Sequence, residues 1–412
     1  MTPKLSICVP SRNRQRYFQE TIRALLESPR TDVEFVFTDN SDDASVMNDF
    51  MATLKDSRIV YLPSTGSTLS MVDNWERTVE ATTGEWVTVI GDDDYADPEI
   101  AGLLTRLQAY APEVDGLSWG TLDYRWPSSD EPVAGNLFVA FQDNLLILPR
   151  DLLIQRMFGW DDAGMVPCSG MSIYHSAIHR RLLERIRTKY GRYFENPTVD
   201  YDSAIKNIVN GTSFYVSPRP MSVMGVCPLS NTYAVGRLDD MKRKAEIFNR
   251  EVGRDVDLDE EVQAFPFKLA TGLTATVGQT IHWYKTKYKF SYGGWEKNFI
   301  IACQRNVEAF RDREAFDIVK GMYQQAVDTW CNGRYRKYFQ PVFKERDIEI
   351  RVSGFSNEGV FIDYNTPGID TPAAFYKLVN DITLPIPNID IRREAIGTVM
   401  SSKHTKPKNK AA

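Results

Sequence analysis

Four short runs rich in apolar and β-branched residues open the chain: Leu5 to Val9, Glu34 to Phe37, Arg58 to Leu62 and Trp86 to Ile90. Between them apolar positions recur at helical spacing, as in Ile22, Leu25 and Leu26 or Val72, Trp75 and Val79. This rhythm predicts βαβ units, hence an α/β protein built on a mostly parallel sheet with helices on both faces. In such sheets the ligand crevice lies at the carboxyl ends of the strands. The segments to inspect are therefore Pro10 to Asn13, Thr38 to Ser41, Pro63 to Gly66 and Gly91 to Asp94.

Beyond Pro98 the alternation loosens. Leu117 to Leu122 and Leu137 to Phe141 read as further strands, Arg150 to Phe158 and Ala177 to Arg187 as helices, and another helix starts near Asp200. The Pro-containing stretch Val216 to Pro228 suggests the end of a first domain over residues 1–228. A mainly helical region over 229–335 and a mixed α/β region over 336–400, with strands at Ile348 to Val352 and Gly359 to Tyr364, follow. Residues 401–412 are basic and polar, as a disordered tail would be.

Composition narrows the class. Of 412 residues, 42% are hydrophobic and 25% charged, which excludes disordered, collagen-like and coiled-coil chains. With 49 Lys and Arg against 55 Asp and Glu the formal charge is −6, which argues against a nucleic-acid partner. Five widely spaced cysteines without a CxxC pair fit free thiols in a reducing compartment. No apolar run approaches the roughly eighteen residues of a membrane helix, and the start shows no signal-peptide pattern. A cytoplasmic protein is expected, with at most peripheral contact, through its basic tail, with the inner face of the membrane.

Three acidic segments could carry chemistry. Gly91-Asp92-Asp93-Asp94 follows the fourth strand; it can hold Mg²⁺ or Mn²⁺, which usually take one or two carboxylates plus substrate phosphates, or it can be a solvated turn capping the next helix. Asp39, after strand two, can accept from a base or ribose, or form an Asx turn. Asp200 and Asp202 start a helix, where they can cap it or serve as general base; Glu195 stands further off. His175 and His179 are spaced i, i+4 but lack a third metal ligand, so packing or exposure is the simpler account. The chain has no GxGxxG, GxxxxGK[ST], HExxH or GxSxG motif. The aromatic run Trp283 to Trp295, with interleaved Lys, can stack on sugars or pack a helical subdomain or homo-oligomer interface.

Taken in order, LSICVPSRNR, FVFTDNSDD, TGEWVTVIGDDDYADPE, SGMSIYH and VDYDSAI resemble the inverting family 2 glycosyltransferases of the GT-A fold over Lys4 to Gly225. The resemblance implies a Rossmann-like mixed sheet, a UDP-sugar donor and a divalent cation, Mn²⁺ or Mg²⁺. It implies nucleotide contacts from Pro10, Ser11 and Arg12, uracil binding by Asp39, ribose binding by Asp92, and metal binding by Asp93 with Asp94 as a neighbour. Asp200 matches the catalytic base, with Asp202 as alternative because Val199 stands where the family often has Glu. Gly91 also replaces an Asp often found before the pair. The QxxRW motif of processive members is missing, which implies transfer of one or a few sugars to a carbohydrate or lipid-linked glycan acceptor in surface-glycan or polysaccharide synthesis. Two other classes compete: a nucleotidyltransferase making nucleotide sugars, which should carry a Gly-rich loop where PSRNRQR stands, and a non-catalytic carbohydrate- or nucleotide-binding module.

Overall fold

The computed structural model describes residues 2–127, 136–141, 144–161, 163–168, 170–230, 237–345, 353–357, 359–363 and 368–395. The first half runs β1 (Leu5–Ser11), α1 (Gln15–Leu26), β2 (Val33–Asp39), α2 (Ser45–Ala52), β3 (Ile59–Leu62), α3 (Met71–Glu80), β4 (Trp86–Val89), β5 (Tyr95–Ala96), α4 (Ile100–Tyr110) and β6 (Gly116–Arg125). Then come β7 (Asn136–Ala140), β8 (Asn144–Ile147), α5 (Arg150–Gly159), β9 (Ser176–His179), α6 (Arg180–Tyr190), α7 (Val199–Asn210) and β10 (Phe214–Val226). Helices α8 (Leu238–Val252), α9 (Leu273–Lys287), α10 (Glu296–Val307) and α11 (Arg313–Thr329) follow, and the chain closes with β11 (Gly354–Phe355), β12 (Gly359–Asp363), α12 (Pro372–Ile382) and β13 (Asp390–Ala395).

The main sheet has the order β13-β8-β10-β6-β9-β4-β1-β2-β3, with β5 pairing β10. β1 is an inner strand: all seven residues are buried, because β2 and β4 flank it in parallel and helices cover both faces. Register carries the site. Ser11 pairs with Asp39, so the ends of β1 and β2 lie level.

Two expectations need correction. Ala177 to His179, read as the start of a helix, belong instead to β9, a strand inserted antiparallel between β4 and β6. Nor does the first domain's sheet end at residue 228: β13 adds to its edge beside β8, and α12 packs on β10. DIRREA lacks the apolar alternation of an inner strand because it pairs on one side only. The strand expected at 348–352 and the tail at 401–412 lie outside the described residues.

The C-terminal segment is fastened by Arg219, which is 1% exposed. Its guanidinium donates to Leu384 O at 2.5 Å, Pro220 O at 2.8 Å, Asn380 Oδ1 at 2.7 Å and Tyr376 Oη at 3.2 Å. Arg219→Met is expected to lower stability by about 3 kcal/mol, because several buried acceptors lose a charged donor. Urea unfolding measures this, and an unchanged midpoint refutes the clamp.

The helical region shares its core with the sheet domain. One apolar cluster runs from Val36 and Val89 through Phe158 and Ile205 to Phe299 and Val319. Most of the aromatic run is structural: Trp283, Tyr284 and Trp295 are buried, and Trp295 stacks on Trp160 with centroids 6.1 Å apart. No helix among the described residues is long and apolar enough to cross a membrane.

Candidate active site

Because β2, β1 and β4 are neighbours, their carboxyl-end loops form one cleft edge. Pro10 and Ser11 are the last residues of β1, both buried. Asp39 is fully buried at the end of β2. Its Oδ1 accepts from Ser41 N at 3.0 Å and Ser41 Oγ at 2.6 Å, closing an Asx turn. Among the described residues Oδ2 has no hydrogen-bond partner although it is buried. Burial raises the Asp39 pKa against these bonds and Arg77. Turn and ligand roles are thus compatible, since each uses a different oxygen.

Asn13 has a left-handed backbone, φ 54°, and staples the β1 loop to the β2 loop: its Nδ2 donates to Asp42 Oδ2 at 2.9 Å while Asp42 N donates to Asn13 Oδ1 at 2.9 Å. Arg12 pairs with Glu251 on α8 and reaches Asp42 at 3.5 Å. Helix α8 therefore lies against the loop expected to meet a nucleotide.

The three aspartates after β4 differ sharply. Asp92 accepts from Ser11 Oγ at 2.7 Å and from Arg14 Nη1 at 2.9 Å. Asp93 Oδ2 accepts from Cys227 N at 3.0 Å, while among the described residues Oδ1 has a single 3.5 Å contact, with Arg14. Burial beside Asp94 and Asp92, offset in part by Arg14 and by a hydrogen bond from Cys227, pushes its carboxyl up to about 7. Asp94 is fully committed: Oδ2 accepts from Gly91 N at 2.6 Å, Tyr174 Oη at 2.7 Å and His175 Nε2 at 2.9 Å, and Oδ1 from Gly225 N at 2.6 Å. Burial raises its pKa, but His175 and these donors outweigh it and hold the carboxyl below its ordinary value. The expectation that Asp94 helps hold a metal is therefore corrected: its oxygens brace the loop. Gly225 makes that bracing possible, because a Cβ there would sit 1.7 Å from Asp93 O.

Across the cleft, α7 separates the two candidate bases. Asp200 is half-buried, and no side chain among the described residues hydrogen-bonds its carboxylate; burial raises its pKa. Tyr174, which donates to Asp94, has its phenol pushed well up by burial, with Asp94, Asp93 and Asp200 adding to the shift. Asp202 is 0% exposed and turns into the core. It accepts from Glu195 N at 2.6 Å and Asn196 N at 2.9 Å and pairs with Lys206 at 3.1 Å. The structure does not bring Asp202 to the cleft. Glu195 is likewise held, by Lys206 at 3.0 Å and Lys287 at 2.9 Å.

Sequence reasoning missed Arg14, Tyr174, His175 and Cys227. Arg14 stood inside the quoted SRNR motif and signalled a counter-charge for the acidic triplet. His175 looked like packing because its partner Asp94 is 81 residues away.

Among the described residues no group of three or more His, Cys, Asp or Glu is gathered for a metal. The donor set nonetheless fits a cation held jointly with a phosphate ligand: Asp93 keeps one poorly satisfied oxygen and an excess of local negative charge.

The fold is thus a Rossmann-like mixed sheet with acidic residues at adjacent strand ends and a further carboxylate in the first turn of α7. Residues 6–183 match the profile of glycosyl transferase family 2, and that match supports a transferase. No curated protein matches the sequence closely enough to count as a relative. Among solved structures, TarS 1-349 of S. aureus in complex with UDP-GlcNAc superposes with a TM-score of 0.43 at 13% identity, covering 87% of this chain and 99% of that one. The mannosyltransferase PcManGT from Pyrobaculum calidifontis, in complex with GDP-Man and Mn²⁺, gives 0.37 at 15% identity, covering 82% and 85%. No residue role is carried over from either.

Proposed function

We propose that this glycosyltransferase moves one sugar at a time from a UDP-sugar to a hydroxyl of a carbohydrate acceptor, with inversion and with help from a divalent cation. The observation that carries this reading is a set of strand-end acids, with one unsatisfied oxygen on Asp39 among the described residues, together with an Asp200 carboxylate that no side chain among the described residues bonds. A single buried acceptor oxygen suits uracil, which offers one ring N–H. Guanine offers two adjacent donors and would call for both oxygens. Asp92, oriented by Ser11 and Arg14, is positioned for ribose or phosphate-side contacts, and Asp93 would hold the cation.

Asp200 takes the proton from the acceptor hydroxyl as that oxygen attacks the anomeric carbon. The new carbon–oxygen bond forms on the face opposite the breaking bond to the diphosphate, which inverts the centre. When bound, the cation supplies Lewis acidity toward the charge that develops on the departing diphosphate. Arg14 places a second positive charge beside Asp92 and Asp93. The acceptor is a surface glycan or polysaccharide precursor, free or lipid-linked at the inner membrane face; the basic composition of residues 401–412 and the helical half suit such peripheral contact and self-association.

Thermal denaturation with nucleotides tests the donor side. UDP with Mn²⁺ at a hundredfold excess over Kd is expected to add about 2.7 kcal/mol of stability. Asp39→Asn should weaken the UDP effect, and Asp93→Asn should remove its metal-dependent part. Stabilisation by nucleoside triphosphates and none by diphosphates would instead indicate a nucleotidyltransferase.

A further inference from the structure

A second recess lies away from the cleft, between α5 and the connection from α9 to α10. Its volume is about 500 Å³, within the range of ligand sites. Asp151, Gln155 and Asp161 supply its polar groups, Tyr292 its aromatic ring, and Gly293 and Gly294 an open backbone edge. No cation lines it among the described residues. Anionic ligands, including phosphates and nucleotides, therefore find no counter-charge there.

The polar groups are held in advance. Gln155 Nε2 donates to Asp161 Oδ2 at 2.6 Å, and Asn298 Nδ2 donates to Asp161 Oδ1 at 2.9 Å. Each carboxylate oxygen retains a second lone pair, and Gln155 keeps its carbonyl oxygen for another donor. Tyr292 is fixed through its main chain, whose O accepts from Lys285 Nζ at 2.6 Å. Of the aromatic run Trp283 to Trp295, it is Tyr292 whose half-buried ring borders the recess, while Trp283, Tyr284 and Trp295 are in the core. An aromatic face beside fixed hydroxyl acceptors is the chemistry that recognises a neutral sugar. The glycines complete the shape: a Cβ at Gly293 or Gly294 would meet no atom within 4 Å.

One chain segment links this recess to the cleft. It begins at Asp161 in the recess wall, passes Pro167, whose O accepts from Tyr201 Oη at 2.9 Å beside Asp200, and ends at Tyr174 and His175 on Asp94. We propose that the recess between α5 and Tyr292 binds a non-reacting part of a neutral carbohydrate acceptor, one or more sugar units away from the hydroxyl that is glycosylated. This rests on the reading of the chain as a transferase to carbohydrate acceptors.

The test is binding of the full-length chain to an array of neutral, phosphorylated and sulfated glycans without donor. Neutral oligosaccharides are expected to bind; Tyr292→Ala should weaken them by roughly tenfold or more, and Tyr292→Trp should restore them. Gly293→Phe, at a position open to solvent, should block the recess even if the alanine variant is poorly folded. Asp39→Asn, on the donor side, should bind the same glycans as the native chain, so failure of the donor assignment would leave this result standing. Binding only to anionic glycans, to none, or equally by Tyr292→Ala and Gly293→Phe overturns the proposal.

Discussion

Asp200→Asn is expected to slow sugar transfer by roughly 10²- to 10⁴-fold, the usual contribution of a positioned general base, while leaving UDP binding close to native. The amide keeps the shape of the carboxylate but cannot take the acceptor's proton. Burial raises the Asp200 pKa above its ordinary value, which strengthens the carboxylate as a base and sets the acid limb of the pH profile. The base must be ionised; as pH falls through its raised pKa it gains a proton, and the rate drops about tenfold per unit below it. That limb should therefore lie above the range of an exposed aspartate and vanish in Asp200→Asn. Steady-state kcat across pH, with donor saturating, measures both effects. Near-native turnover in Asp200→Asn would remove Asp200 from the mechanism.

The parts of this site that were legible in the sequence are those fixed locally. Asp39, Asp92 and Asp93 each directly follow a buried strand, and period-two and helical patterns alone place such residues at one sheet edge. What remained hidden depends on contacts between distant segments. Cys227 N reaches Asp93 across 134 residues, and Glu251 reaches Arg12 across 239. Ser176 to His179 is too short to reveal its period, so Ala177 to His179, just after His175, looked helical. The choice between Asp200 and Asp202 was partly open to reasoning. Two residues along a helix differ by roughly 200°, so both cannot face the cleft. Val199, Ile205 and Ile208 mark the buried stripe, and Asp202 lies three residues from each of the first two, with Lys206 one turn on as its counter-charge. The C-terminal strand was harder, since a polar edge strand carries no apolar alternation to read.

The buried pair of Asp202 and Lys206 should govern stability as strongly as Asp200 governs turnover. Both side chains are 0% exposed, and Lys206 also donates to Tyr193 O at 2.8 Å and pairs with Glu195. Lys206→Met removes the cation and leaves Asp202 in the core with only backbone donors, which should cost about 3–5 kcal/mol at neutral pH. The pH dependence fixes the cause. Burial already raises the Asp202 pKa, opposed first by Lys206, and without Lys206 it rises further. A carboxyl whose folded pKa exceeds its unfolded one binds its proton more tightly when folded. Stability of Lys206→Met should thus recover as pH falls toward the unfolded value and decline as pH rises through the folded one. Asp202→Asn should be milder, because Lys206 keeps Glu195 and the amide oxygen still accepts from the two backbone N–H groups. Urea titrations at several pH values compare the variants, with sugar transfer measured on the folded fraction. Folded Asp202→Asn that has lost transfer by more than a hundredfold, beside an active Asp200→Asn, would make Asp202 the base despite its burial.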